Sequence, residues 1–227
     1  MINVFAGYDD REAVGYHTFC ASLIRNASQP LSITPLHLDN LRGIYSEVHK
    51  DGTNAFIYSR FLVPYLMGYK GWAIFVDGAD MVCKGDIAEL WAMRDYFKAV
   101  QVVGHDYKTK HPRKYVGTSI EADNGDYPCK NWSSVMLINC GHKAWQGITP
   151  TGIEGMTGAQ LHRFSFMKES EIGFLRPEWN WLADEFGENP NAKLLHYTAG
   201  IPAWEHYKDT PHAADWFEAN KWVNHAA

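Results

Sequence analysis

The sequence predicts one α/β domain, a Rossmann-like unit with a mostly parallel central sheet flanked by helices. The chain opens on a short apolar run, Ile2 to Ala6, then the turn Gly7-Tyr8-Asp9-Asp10, then residues at helical spacing. Strand, glycine-containing turn and helix make the first unit of a nucleotide-binding α/β sheet. Apolar runs recur and stop at polar residues, at Asp9, Asp77, His105 and His196. No repeat, low-complexity stretch or linker divides the 227 residues, and 46% of them are hydrophobic, enough for a large core. The expected boundaries are a single domain over 1–227, with a core at 2–205 and a tail at 206–227.

Composition narrows the function classes. A net charge of −5 argues against a broad nucleic-acid surface. Cys20, Cys83, Cys129 and Cys140 lack C-x-x-C spacing and read as reduced thiols of a cytosolic protein. The start, MINVFAGYDD, has neither the basic region nor the apolar core of a signal peptide. No apolar run approaches the roughly 18 residues of a membrane span. The expected location is cytoplasmic, free or peripheral at the inner face of a membrane. Most of the nine Trp and twelve Tyr belong to the core on this reading, with sugar stacking a minority role.

Along the chain, Ala13, His17, Cys20, Leu23 and Ile24 share one face of the first helix, and Asp9 or Asp10 is placed to cap it. The turn before it is no G-x-G-x-x-G, so dinucleotide binding is not supported. Ser32 to Leu38 reads as a strand. Phe56 to Met67 has helical spacing, with Ile57, Phe61 and Tyr65 aligned, Arg60 among them, and Pro64 marking a kink or an early turn. Ala99 to Val103 is another strand, ending at Gly104-His105-Asp106. Residues 107–130 have no period and carry a basic cluster, Lys108, Lys110, Arg113 and Lys114; such a loop is either functional or merely solvated. Ser134 to Asn139 is a buried strand, 147–160 a Gly- and Thr-rich loop, and Leu161 to Met167 a short helix. Leu194-Leu195-His196 closes the last apolar run, and 211–227 reads as a docking helix.

The centre of the chain is 71–91, GWAIFVDGADMVCKGDIAELW. Trp72 to Val76 has the composition of a buried strand, and Asp77 and Asp80 follow where it ends. Asp86, three residues before Glu89, carries the capping-box pattern of a helix whose face holds Ile87, Leu90 and Trp91. Asp77 and Asp80 have two readings: turn formers around Gly78, or hard oxygen donors for Mg²⁺ or Mn²⁺ and so for phosphate. In a doubly wound sheet, parallel strand ends share one edge, where Asp77, Asp80 and His196 would form an O,O,N set. Any single histidine is more often a surface or core residue; His196 is singled out by its place after a strand.

Four motifs, in order, resemble the retaining GT-A glycosyltransferases of the glycogenin and lipopolysaccharide-galactosyltransferase type (family 8-like). FVDGADMVCKGDIAELW at 75–91 is similar to the family's YLDADxxVxGDIxELW, and WSSVMLINC at 132–140 to NSGVMLIN. LRPEWN at 175–180 is similar to LPxxWN, and HYTAGIPAW at 196–204 to HFTGxxKPW. The resemblance runs through 2–205 and implies a GT-A fold. It implies donor contacts from Ala6, Tyr8, Asp9, Arg60, Asp77, Gly78, Asp80, Ser133 and Ser134, and a metal, Mn²⁺ or Mg²⁺, on Asp77, Asp80 and His196.

The chain departs from the family at three places. Its acidic motif is D-x-x-D: counted back from Asp86, Asp80 takes the second aspartate position and Gly78 the first, so Asp77 serves only if the loop bulges by one residue. The late motif lacks its lysine, with Pro202 near the place, which leaves Lys108, Lys110 or Lys114 to meet a diphosphate. The family's DQD loop falls on Gln160-Leu161-His162, so Gln160 and His162 stand in as the catalytic candidates.

The expected function is a metal-dependent retaining glycosyltransferase moving a hexose from UDP-glucose or UDP-galactose to a glycan, lipid-linked or protein acceptor by front-face displacement. One rival is a catalytically silent nucleotide-sugar or glycan-binding module. The other is a Mg²⁺-dependent phosphatase, which needs D-x-D-x-[TV] after an early strand; Asp9-Asp10-Arg11 is not that run.

Overall fold

The computed structural model describes residues 1–223. In chain order its regular elements are β1 (Ile2–Gly7), α1 (Ala13–Asn26), β2 (Leu31–Leu36), α2 (Val63–Leu66), β3 (Trp72–Val76), β4 (Met81–Cys83), α3 (Ile87–Ala92) and β5 (Val100–Val102). Then come the short pair β6 (Arg113–Lys114) and β7 (Ala122–Asp123), followed by β8 (Val135–Asn139), α4 (Pro150–Glu154), α5 (Gly158–His162) and β9 (Ile172–Phe174). Last are β10 (Trp181–Leu182), α6 (Ala183–Phe186), β11 (Leu194–His196) and α7 (Ala213–Lys221).

The central sheet has six strands in the order β2-β1-β3-β8-β5-β9. Five run in one direction, and β8 is antiparallel to both β3 and β5. β3 is buried on both faces, which is why its sequence is an unbroken apolar run rather than an alternating one. Ala73 and Phe75 pack into a core with Phe61, Val100 and Trp145. Trp72, Ile74 and Val76 face the other way, toward Phe19, Leu23, Ile87 and Leu90.

β11 does not join this sheet. It pairs antiparallel with β4, with His196 opposite Met81, in a separate three-stranded sheet β10-β11-β4. The expectation that His196 and Asp77 end strands on one sheet edge is therefore corrected. The chain turns at 77–80 and leaves the central sheet at once as β4, and the sheet it enters brings β11 back beside that turn.

Helix assignments shift for local reasons. α1 buries Gly15, Thr18, Phe19, Ser22 and Leu23, whereas His17 and Ile24 of the expected face are exposed. Tyr16 is buried there too, and the small and polar members of the stripe stand where α1 lies close to other backbone: a Cβ on Gly15 would stand 1.8 Å from the Ala79 oxygen. The run from 56 to 67 breaks into turns, a 3-10 turn at Ser59–Leu62 and the four-residue α2, with Pro64 in its first turn. The region 147–160 is not a loop. Pro150 and the Thr149 cap start α4, and Thr157 and Gln160 form a reciprocal capping box that starts α5. The helix expected at 161–167 is thus displaced toward the N-terminus. Asp86 caps α3 through Ala88 N at 2.9 Å, but Glu89 is paired with Lys193 instead of closing a box. α7 buries Trp216 and Ala219 in a cluster with Val82, Leu195 and Tyr197, and its Asn220 donates to Thr18 Oγ1 of α1 at 2.8 Å. Residues 224–227 of the expected tail helix lie outside the described residues. Among the described residues all four cysteines are unpaired, and no helix is long and apolar enough to cross a membrane.

Candidate metal and nucleotide-sugar site

The site is built where β3 ends. Asp77 N donates to the Ser134 oxygen at 2.9 Å, which ties the turn to the start of β8. Gly78 then takes φ +64°, a conformation costly for a side chain, and a Cβ there would meet the Gly7 oxygen at 3.0 Å. The turn therefore lies against the end of β1. Asp80 follows, and its backbone oxygen accepts from Tyr197 N at 2.9 Å. That bond fixes the turn to the end of β11, where His196 stands.

The result is a buried acid–acid–imidazole cluster. His196 Nε2 lies 3.3 Å from Asp80 Oδ2 and 4.0 Å from Asp77 Oδ2. One ligand atom from each of Asp77, Asp80 and His196 falls within 4.8 Å of the others. Atoms that share one ion at 2.0–2.3 Å bonds can stand about 4.6 Å apart at most, so small shifts bring this set into range. Asp80 Oδ1 is buried without a hydrogen-bond partner among the described residues, which leaves its lone pairs open to a cation. Two carboxylates and one imidazole with room for further oxygens suit a hard or borderline divalent ion. Between the two aspartates the chain makes a positive-φ turn at Gly78.

His196 is oriented from behind. Asn180, fully buried, donates through Nδ2 to the Asn131 oxygen at 3.0 Å, which turns its Oδ1 toward His196 Nδ1 at 2.9 Å. Nδ1 must then carry the proton, leaving Nε2 bare toward the aspartates, the arrangement a ligand histidine needs. His105 Nε2 bonds the Asn180 backbone oxygen at 2.9 Å and so supports the same support.

Charges around the cluster are uneven. Arg60 Nη1 lies 2.6 Å from Asp77 Oδ1, an ion pair without hydrogen-bond alignment, and donates to the Ser133 oxygen at 3.0 Å. Burial still pushes the Asp77 carboxyl up, to about 6, against the pull of Arg60. Burial disfavours charged His196, but Asp80, then Asp77 and Asp184, outweigh it and raise its pKa. Glu12, at the start of α1, is 1% exposed, and among the described residues neither carboxylate oxygen has a hydrogen-bond partner. Burial first, then Asp80, Asp9 and Asp77, push Glu12 up to about 8.

Two connected cavities adjoin the cluster. A small one of about 70 Å³ is lined by Arg60, Asp77, Asp80, His196, Tyr115 and Ser133 among others. It shares Thr53, Lys114, Tyr127, Asn131 and His162 with a larger one of about 390 Å³, which also reaches Tyr58, Lys130 and Arg163. Residues of 107–130 line both, so this loop is a wall of the site. It is pinned from behind by buried Glu185, which accepts from Lys110 N at 2.9 Å and from the Thr109 hydroxyl.

The other candidates are spread unevenly. Ser134 lines the smaller cavity, and Ser133 there faces His162, Oγ to Nδ1 at 2.7 Å. The other ring nitrogen of His162 is buried without a partner, and burial, then Arg60, lower its pKa to about 3. Gln160 is exposed, lines neither cavity, and spends its side chain on the Thr157 cap. Ala6, Tyr8 and Asp9 also lie outside both cavities. Tyr8 packs edge-on against Tyr16 and His37. Asp9 caps the turn before α1, accepting from Arg11 N at 3.0 Å, from the Arg11 guanidinium, and from Ala55 N at 2.9 Å. Sequence reasoning missed Glu12 and Asn180. Asn180 had a signal, since Trp179-Asn180 closes one of the four motifs; Glu12 had none.

No family model matches the chain. It is 38% identical over 221 residues to Protein CDI of Arabidopsis thaliana, covering 94% of this chain and 83% of that protein. The chain belongs to the Protein CDI family. Three solved structures share its fold. The WbbM bifunctional glycosyltransferase superposes with TM-score 0.67 at 15% identity, over 96% of this chain and 49% of that one. GlyE of Streptococcus pneumoniae TIGR4 gives 0.64 at 15% identity, over 98% and 62%. The galactosyltransferase LgtC, solved in complex with donor and acceptor sugar analogues, gives 0.63 at 10% identity over 100% and 98%. The chain thus spans about half of WbbM and under two thirds of GlyE, but nearly the whole of LgtC. The fold is the GT-A fold, as the four motifs imply.

Proposed function

We propose that the chain is a metal-dependent glycosyltransferase that moves a hexose, with retention, from UDP-glucose or UDP-galactose to a glycan, lipid-linked or protein acceptor. The observation that carries this reading is the buried Asp77–Asp80–His196 cluster beside the 70 Å³ cavity, on a GT-A sheet. Mn²⁺ or Mg²⁺ held there supplies Lewis-acid stabilisation of the departing diphosphate, a term of several kcal/mol. In this reading Arg60 holds Asp77 in place, Asn180 holds the His196 tautomer, and the nucleotide would sit over Ala6, Tyr8 and Asp9, as the family resemblance implies. Of the two catalytic candidates, His162 is favoured over Gln160. With Ser133 Oγ donating to its Nδ1, the other ring nitrogen would carry a hydrogen and could donate it to a sugar oxygen. It stays neutral at physiological pH and serves as a donor of hydrogen bonds, not as a general acid.

A second reading, a nucleotide-sugar or glycan-binding module without turnover, is favoured by one observation: Gln160, aligned to the acid–amide loop, is spent on a helix cap. One experiment separates the two. UDP is titrated calorimetrically with Mn²⁺ and then with EDTA, and release of UDP from UDP-glucose and UDP-galactose is followed. Mn²⁺-dependent binding with turnover supports the transferase, and binding without turnover supports the module. Equal affinity in Mn²⁺ and EDTA rejects the metal.

A further inference from the structure

Among the described residues, most cations near the two cavities are already matched; Arg163, on the larger one, has no ion-pair partner but is exposed, which leaves Lys114. Arg60 is paired with Asp77 and Arg11 with Asp9. Lys110 donates to the Glu185 backbone oxygen at 2.6 Å. Lys130 donates to Asn124 at 2.8 Å and has Asp126 at 3.9 Å. Lys108 is exposed and lines neither cavity. Lys114 lines both, and among the described residues it has no carboxylate within ion-pair distance. Its ammonium donates to one neutral group, Thr53 Oγ1, at 2.9 Å. Burial lowers its pKa against the pull of Asp80, Glu12 and Asp77. A half-buried ammonium held by one hydroxyl and by the Tyr115 ring, 5.0 Å from its centroid, keeps donor capacity that an anion entering the cavity can use.

Thr53 belongs to a strap across the same opening. Its backbone oxygen accepts from Arg11 Nη2 at 3.3 Å, and Ala55 N two residues on donates to Asp9 at 2.9 Å. The strap is therefore tied to the turn before α1, and the contact between Lys114 and Thr53 joins it to the 107–130 loop.

We propose that Lys114 is a diphosphate-binding residue, and that its bond to Thr53 is the resting contact a nucleoside diphosphate displaces. This rests on the donor reading above. It assigns to the loop a contact that the late HYTAGIPAW motif has no lysine to make. It also predicts that the strap loosens as the ligand enters, since its tie to the loop is exchanged for a phosphate oxygen.

The test measures Mn²⁺-supported binding of UDP and of uridine to wild type and to Lys114→Met, Lys114→Arg and Thr53→Val. Lys114→Met should weaken UDP roughly ten- to a hundredfold, the size of one charge-assisted hydrogen bond, while uridine changes less than about twofold. Lys114→Arg should recover most of the loss, which also shows that the fold tolerates the position. Thr53→Val should tighten UDP a few-fold, and only where Lys114 is present. UDP binding within about twofold of wild type in Lys114→Met overturns the assignment and leaves the donor reading standing. Equal weakening of UDP and uridine overturns it as well, since that marks a structural role. Wild type binding UDP no better than uridine overturns the donor reading, and the assignment with it.

Discussion

Glu12 gives the sharpest test of the electrostatics at this site. Its folded pKa is raised from 4.5 to about 8, so the native state holds a proton there that the unfolded chain releases. The sign follows from linkage: where the native state binds more protons, stability falls as pH rises, by about 1.4 kcal/mol per pH unit per proton. For Glu12 the window opens above pH 4.5 and closes near pH 8. From pH 5 to pH 7 the chain should therefore lose about 3 kcal/mol through this residue alone. Glu12→Gln keeps the shape of the protonated side chain and cannot ionise, so the loss should disappear from the variant. Asp77 and His196 also have raised pKa values and slope the same way. The measurement is therefore the difference between wild type and variant: urea denaturation at pH 5, 6, 7 and 8 without divalent ions. The wild-type curve should fall more steeply, by roughly 1 kcal/mol per unit across that range. Parallel curves would refute the argument, because they would mean that Glu12 is ionised in the fold with a partner the structure lacks. Saturating Mn²⁺ should shrink the difference, since a cation beside Asp80 stabilises the charged form of Glu12 as well.

Three further outcomes are expected. Asp80→Asn should cut turnover of UDP-sugar by roughly 10²–10³, equivalent to about 3–4 kcal/mol, measured as UDP release at saturating Mn²⁺. Asn180→Ala should weaken Mn²⁺ binding about 10–100-fold by freeing the His196 ring, and His196→Ala should do so more strongly; calorimetry across pH should also show Mn²⁺ affinity dropping as His196 protonates, starting above pH 6.5 because its pKa is raised. Gly15→Ala should destabilise by about 1–3 kcal/mol despite alanine's better helix propensity, because its Cβ would stand 1.8 Å from the Ala79 oxygen, and a melting temperature equal to wild type would refute that packing.

The strands β3, β8 and β11 were legible as apolar runs with polar stops, a pattern that needs no tertiary information, whereas the sheet each one joins was not. The helices were less so. On α1 the expected face followed hydrophobicity, but the buried face holds Gly15, Thr18 and Ser22, chosen for closeness to the 77–80 turn and to α7. Ser22 Oγ takes Cys83 N at 2.9 Å, so a polar residue is buried there because a strand end needs an acceptor. Such a residue looks like surface to any periodicity argument. The region 147–160 failed for the opposite reason: its Thr and Gly residues suggest loop by composition, yet Thr149 and Thr157 are helix caps, and caps are read from spacing to the following Gly152 and Gln160.

The site divides along the same line. Asp77, Asp80 and His196 were found because each follows an apolar run, and the four motifs order them. Their closeness could not follow from one sheet edge, since His196 arrives on a second sheet. What joins the two sheets is local: Asp80 contributes its carboxylate to the cluster and its backbone oxygen to Tyr197, so a single residue sets both the charge and the distance. Asn180 and Glu12 were hidden because their roles are defined by what surrounds them. An asparagine becomes a histidine's anchor only when its amide is already turned by Asn131, and a glutamate becomes an unpartnered buried acid only when α1 is pressed onto Ala79 by a glycine. The same close approach that Gly15 permits places Glu12 behind Asp80. The packing that positions the turn and the excess negative charge that favours a cation beside it therefore have one cause.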